Sequence, residues 1–120
     1  MNKKTLVIGA SENPQRYSYL AINRLRAKGN DVVAIGQKVG KLGDVEIIKE
    51  KNAFTDVDTV TLYVNPTIQQ QYYDYILSLK PKRIVFNPGT ENLEFEKMAQ
   101  EKGIQVLEAC TLVLLSTGQY

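Results

Sequence analysis

The chain has 120 residues, with 15 lysines and arginines against 13 aspartates and glutamates and no histidine, for a net charge of +2. That length fits one domain, the near-neutral balance excludes a charge-driven nucleic-acid binder, and 43% hydrophobic content excludes a mostly disordered chain. Without histidine there is no Ser-His-Asp triad, no Cys-His pair and no imidazole-ligated zinc, and the one cysteine, Cys110, builds neither an internal disulfide nor a thiolate metal site.

The opening Met1-Asn2-Lys3-Lys4-Thr5-Leu6 is too poor in apolar residues for a signal peptide. No apolar run approaches the ~20 residues that span a bilayer. The expectation is a cytoplasmic chain with no membrane partner. Thr5–Gly9 then reads as a strand buried on both faces, being short, apolar and β-branched. After a loop, Tyr19–Lys28 carries Leu20, Ala21 and Leu25 on one side and stops at Gly29, a natural left-handed cap. Asp31–Gly36 is a second strand. Gln37–Asp56 is irregular: Gly40, Gly43 and its Lys/Glu content predict turns, with a short hairpin or extra strand near Val45–Ile48.

Thr59–Val64 is the third main strand. Pro66–Leu79 reads as one helix, with Ile68, Tyr72, Ile76 and Leu79 on a common face, Asn65 as N-cap and Pro66 in the first position, where proline forfeits no hydrogen bond. Arg83–Asn87 is the fourth strand, Asn92–Lys102 a helix ended by Gly103, and Ile104–Glu108 the fifth strand. The apolar block Thr111–Ser116 is either a final helical turn on the sheet or a surface through which the chain forms a homo-oligomer. Strands alternating with helices predict an α/β, Rossmann-like three-layer sandwich with a five-stranded, mainly parallel sheet in the order 3-2-1-4-5.

Ligands of such sheets bind beyond the carboxyl ends of the strands, where the order reverses; in the expected order that is between the first and fourth strands. The loops there are rich in small, amide and hydroxyl residues, with Arg16 and Lys38 nearby. Backbone N–H groups of Ala10 to Asn13 and the Ser11 hydroxyl could surround a pyrophosphate near a helix N-terminus. The full G-x-G-x-x-G fingerprint is missing, because its second and third glycines are Ser11 and Pro14. The acidic residue that binds a ribose 2′-hydroxyl is missing too; Gly36-Gln37-Lys38 stands there, and its cation favours a phosphorylated ribose, as in NADP or coenzyme A, over NAD.

Leu6-Val7-Ile8-Gly9-Ala10-Ser11-Glu12-Asn13-Pro14, followed by Ser18-Tyr19 and a helix, resembles the start of the small CoA-binding proteins. These are single Rossmann-like domains similar to the CoA-binding domain of the succinyl-CoA synthetase alpha subunit. Val32–Lys38, Val64-Asn65-Pro66, Asn87-Pro88-Gly89 and Glu108-Ala109-Cys110 match the family's later landmarks in order, over roughly residues 4 to 110. The resemblance implies that Gly9, Ala10, Ser11, Glu12, Asn13 and Pro14 wrap the pyrophosphate of coenzyme A or an acyl-CoA. It places Lys38 at the phosphorylated ribose, and Asn87, Pro88 and Gly89 at the pantetheine arm or pyrophosphate. Arg16 and Pro66 complete the candidate set. Gly36-Gln37-Lys38 departs from the family's Asn-Pro-Lys type of turn, and Thr111–Tyr120 follows no family pattern. The synthetases' phosphorylated histidine is missing, so ligase activity is not inherited.

The reading is therefore a non-catalytic binder of a small nucleotide cofactor. Two rivals stay open. One is a small NADP-linked oxidoreductase, with Tyr17 or Lys38 as proton donor; the other is an interaction subunit without ligand. Tyr72, Tyr73 and Tyr75 are read as packing residues, and Cys110 as a small buried hydrophobe.

Overall fold

The apolar runs become strands and the amphipathic stretches helices in a computed structural model that describes residues 2–120. Met1, where the expected domain and the opening segment begin, lies outside them. The described elements are β1 (Thr5–Ile8), α1 (Tyr17–Ala27), β2 (Val32–Ile35), β3 (Gly40–Leu42), β4 (Val45–Ile48), β5 (Thr59–Leu62), α2 (Pro66–Gln69), a 3-10 turn (Gln70–Tyr72), α3 (Tyr73–Leu79), β6 (Arg83–Phe86), α4 (Leu93–Glu101), β7 (Gln105–Glu108) and α5 (Thr111–Ser116). No helix among the described residues is long and apolar enough to cross a membrane.

All strands join one sheet in the order β3-β4-β2-β1-β5-β6-β7, parallel except for the β3–β4 pair. Among the described residues the sheet thus has seven strands, not the expected five. The expected order also changes. The order 3-2-1-4-5 puts Thr59–Val64 beside the second strand; β4 holds that place, and β5 pairs with β1 instead. The physical reason lies in Gln37–Asp56. Its Gly43 turn (φ +57°) lets the short β3 fold back on β4, so a hairpin replaces a crossover helix between the parallel β2 and β4. Leaving out β3, the order is that of doubly wound dinucleotide-binding folds, and the reversal falls between β1 and β5 rather than between the first and fourth expected strands.

Successive residues of each strand serve opposite faces. Leu6, Ile8, Val60, Leu62, Ile84 and Phe86 pack with Tyr73 and Ile76 of α3 and Phe95 and Ala99 of α4. On the other face Val7, Ala34 and Ile47 pack with Ile22 and Leu25 of α1 and Leu115 of α5. The expected helix over Pro66–Leu79 is interrupted by the 3-10 turn. There Gln69 is fully buried, donating from Nε2 to the carbonyls of Val64 and Thr90 at 2.8 Å each and accepting from Asn92 Nδ2 at 2.9 Å. Tyr73 stacks on Phe95 with ring centroids 4.4 Å apart, a core role like the one expected of it.

Beneath α5 the sheet is polar. Asn87 Nδ2 donates to Thr61 Oγ1 (2.7 Å) and the Leu62 carbonyl (2.8 Å), and its Oδ1 accepts from Thr111 N at 2.9 Å. Arg83 Nε donates to Thr59 Oγ1, and its guanidinium lies 4.3 Å from the centroid of the Tyr120 ring. Thr111–Ser116 is thus a helix laid on its own chain, with Thr111 and Leu115 buried and Val113 exposed.

Candidate functional site

The site begins where β1 ends. Gly9 takes φ +95°, and a Cβ there would lie 2.8 Å from the Tyr63 carbonyl oxygen, so only glycine lets the chain turn this close to β5. The N–H groups of Gly9 and Ala10 then both donate to the Ile35 carbonyl, at 2.9 and 3.0 Å, drawing the loop across the end of β2. Within the loop the Ser11 hydroxyl accepts from Asn13 N and Asn13 Oδ1 accepts from Gln15 N, each at 3.0 Å. Asn13 also accepts at its carbonyl from Arg16 N.

The donors expected to meet a diphosphate are therefore fewer than Ala10 to Asn13. Ala10 N–H and Asn13 N–H are engaged inside the protein, and the N–H groups of Ser11 and Glu12 have no partner among the described residues. A second donor set adjoins them. Helix α1 starts on Arg16 with no capping side chain, whereas Asn65 caps α2 through Ile68 N and Asn92 caps α4 through Phe95 N. Tyr19 N–H already donates to the Arg16 carbonyl, so the Tyr17 and Ser18 amides and the positive end of the α1 dipole are what stay available to an anion.

These groups border a crevice of about 960 Å³, near the top of the roughly 300–1,000 Å³ usual for cofactor sites. Of the expected residues, Gly9, Ala10, Ser11, Glu12, Asn13, Arg16, Lys38, Pro88 and Gly89 line it. Pro14, Pro66 and Asn87 are not among the lining residues. Pro66 opens α2, and Asn87 is buried with its amide engaged at both ends. Tyr17, which is 70% exposed, also lines the crevice, whereas the half-buried Cys110 is not among its lining residues.

Gln15, Ser18, Gln37, Asn65 and Thr90, from the loops expected at the strand ends, also line the crevice, and Tyr63, Val64 and Ile68 complete it without having been expected there. Tyr63 follows β5 and reaches the polar face, where burial pushes its phenol up and its hydroxyl has no hydrogen-bond partner among the described residues. A smaller hollow of about 260 Å³ shares Gly9, Gln37, Val64 and Ile68 with the crevice and adds Gly36, Lys49, Gln71 and Tyr72. Its walls join a tyrosine ring and two aliphatic side chains to two amides and a cation, a mixture that suits a flat heteroaromatic base carrying a nearby anion. Lys49 lies just beyond β4, inside the stretch whose sequence reads as irregular, so no local signal marks it.

No cluster of metal-ligating side chains occurs among the described residues. The sequence pattern of the family described as the CoA binding domain matches residues 3–116. Among solved structures, the chain is 49% identical to the crystal structure of an uncharacterized protein, covering 100% of this chain and 99% of that one with a TM-score of 0.97. A hypothetical protein from Pyrococcus horikoshii OT3 is 24% identical over 96% of this chain and 82% of its own (TM-score 0.86). A protein from Thermus thermophilus is 23% identical over 98% and 90% (TM-score 0.81). No curated protein matches.

Proposed function

The chain belongs to the CoA binding domain family, and on that premise we propose that it binds coenzyme A or an acyl-CoA without transforming it. The observation that carries this reading is the unengaged donor set at the reversal point: the N–H groups of Ser11 and Glu12 beside the uncapped start of α1. Together they offer a diphosphate several amide hydrogens and a favourable dipole. Arg16 and Lys38 add two cations on the rim. In this arrangement the diphosphate rests against Ser11 and Glu12, the adenine enters the hollow walled by Val64, Ile68 and Tyr72, and Lys38 and Lys49 meet the ribose phosphate. The pantetheine arm runs past Pro88, Gly89 and Thr90. Histidine is lacking throughout the chain, which supports a holding rather than a reacting site.

Calorimetry with coenzyme A, dephospho-CoA, NAD and NADP tests the proposal. The expected result is a preference for coenzyme A over dephospho-CoA that Lys38→Ala reduces by about 3- to 10-fold, a modest factor because solvent screens an exposed lysine. Equal failure of all four ligands overturns the reading, and a preference for NADP replaces it with a nicotinamide-linked one.

A further inference from the structure

Glu12 sits in the middle of the loop assigned to a diphosphate, and a carboxylate facing that ligand would repel it. Its side chain is turned elsewhere. Glu12 Oε2 accepts from the backbone N–H of Lys41 at 2.8 Å, and the rest of the side chain lies over Gly40. The fit is close: a Cβ at Gly40 would come within 2.4 Å of Glu12 Cδ and 2.8 Å of its Cγ. Gly40 needs no left-handed backbone, so the requirement for glycine there is one of space for Glu12.

We propose that Glu12 is a positioning residue which ties the anion-binding loop to the β3–β4 hairpin, holding its own N–H and that of Ser11 in place for a diphosphate. The inference rests on the reading of the crevice given above. Each partner explains an oddity of the other. The hairpin replaces a crossover helix and ends in a three-residue edge strand whose outer backbone groups have no further strand to pair with; Glu12 engages one of them. The loop in turn has only short-range bonds between Ser11 and Arg16, and the link to Lys41 is its one side-chain bond to a distant element among the described residues. A loop fixed before the ligand arrives binds more tightly, because the ordering entropy is not lost on association. The same bond turns the negative charge toward the hairpin and away from the arriving phosphates.

Three variants of the full chain test this, by amide hydrogen exchange without ligand and by calorimetry with coenzyme A. Glu12→Ala removes the tie. Gly40→Ala dislodges the flexible Glu12 side chain while leaving the loop sequence intact. Glu12→Gln keeps an acceptor for Lys41 N–H and serves as the rescue. Glu12→Ala and Gly40→Ala are expected to speed exchange at Ala10 and Asn13, the bonded amides on either side of Ser11 and Glu12, and to weaken coenzyme A binding by about tenfold, with Glu12→Gln close to the parent in both. Parent-like exchange and affinity in Glu12→Ala and Gly40→Ala overturn the positioning role, as does a Glu12→Gln variant as impaired as Glu12→Ala. A parent chain that binds no coenzyme A, with loop exchange still raised in Glu12→Ala, overturns the nucleotide reading while upholding the tie.

Discussion

Replacing Gly36 by alanine gives a test in which the sign alone is decisive. Gly36 follows β2 and has no left-handed backbone, so alanine suits its local conformation. At such a site Gly→Ala ordinarily stabilises by roughly 0.4–1 kcal/mol, through the smaller entropy of the unfolded chain. Here the space is already filled. A Cβ at Gly36 would lie 2.3 Å from the Ala10 carbonyl oxygen and 2.9 Å from Ile47 Cγ2, and the nearer atom belongs to backbone held by the bond from Ala10 N to the Ile35 carbonyl.

Relief requires the Ala10 peptide to move outward, which strains or breaks that bond. Overpacking of this kind destabilises by about 1–3 kcal/mol and the lost hydrogen bond adds about 1 kcal/mol. After subtracting the entropic gain, the net loss is about 1–3.6 kcal/mol, or about 4–14 °C in Tm at roughly 4 °C per kcal/mol for a chain of this size. The displaced loop should also lose coenzyme A affinity by tenfold or more, since Ser11 and Glu12 immediately follow the shifted peptide. Thermal unfolding followed by circular dichroism, with and without ligand, reads both effects. A Tm equal to or above the parent's would refute the contact, and with it the claim that the loop lies across the end of β2.

Asn87→Ala is expected to lower stability in urea unfolding by about 2–4 kcal/mol, because it removes three buried hydrogen bonds and strands the Thr111 N–H; a loss under about 1 kcal/mol would mean that the amide belongs to the crevice instead. Tyr63→Phe deletes a buried hydroxyl without a partner and is expected to leave stability unchanged or raise it by up to about 1 kcal/mol, so a marked fall in Tm would contradict this placement. Burial, followed by the neighbouring carboxylates Glu108 and Glu91, holds the Glu96 carboxyl above its ordinary value, so the folded chain keeps that proton more tightly than the unfolded one. Its contribution is therefore most favourable below the ordinary carboxylate range and falls as pH rises through the raised value. Glu96→Gln retains an acceptor for Asn92 N, so its Tm relative to the parent should climb from pH 4 to pH 7; a constant difference would refute the shift.

The sheet's main strands are legible as short, mostly apolar runs, and each of the five falls inside the run read for it, although β7, at the sheet edge, has Gln105 and Glu108 exposed and is not buried on both faces. Val45–Ile48 was harder to read. It lies one place from the edge, between polar turns, and its pairing with β2 is long-range information that four residues do not carry. The extra strand or hairpin expected there is present, but without its pairing to β2 the third main strand is expected beside β2 and the crevice wall at β6 rather than β5. The loop after β1 lines the crevice in either strand order, since its place depends only on the residues directly after β1. Which of its amides stay available does not follow from those residues alone, because that is decided by Ile35, the Ser11 hydroxyl and the start of α1 acting together.

The place of Asn87 is written in a local signal, the parity of the strands around it. In the neighbouring strands β5 and β6, the buried polar residues share one parity: Thr59 and Thr61, then Arg83 and, just past the strand, Asn87, with only Val85 apolar between them. Strands covered on both faces do not bury a hydroxyl or guanidinium unless something polar lies against it. That parity places Asn87 with Thr61 and Thr111 beneath α5. The Asn-Pro-Gly sequence reads as a turn in either case, so only the two-residue period separates a side chain that meets ligand from one that anchors the last helix. By the same rule Pro88 and Gly89, past the end of the period, are left to face the crevice with Thr90.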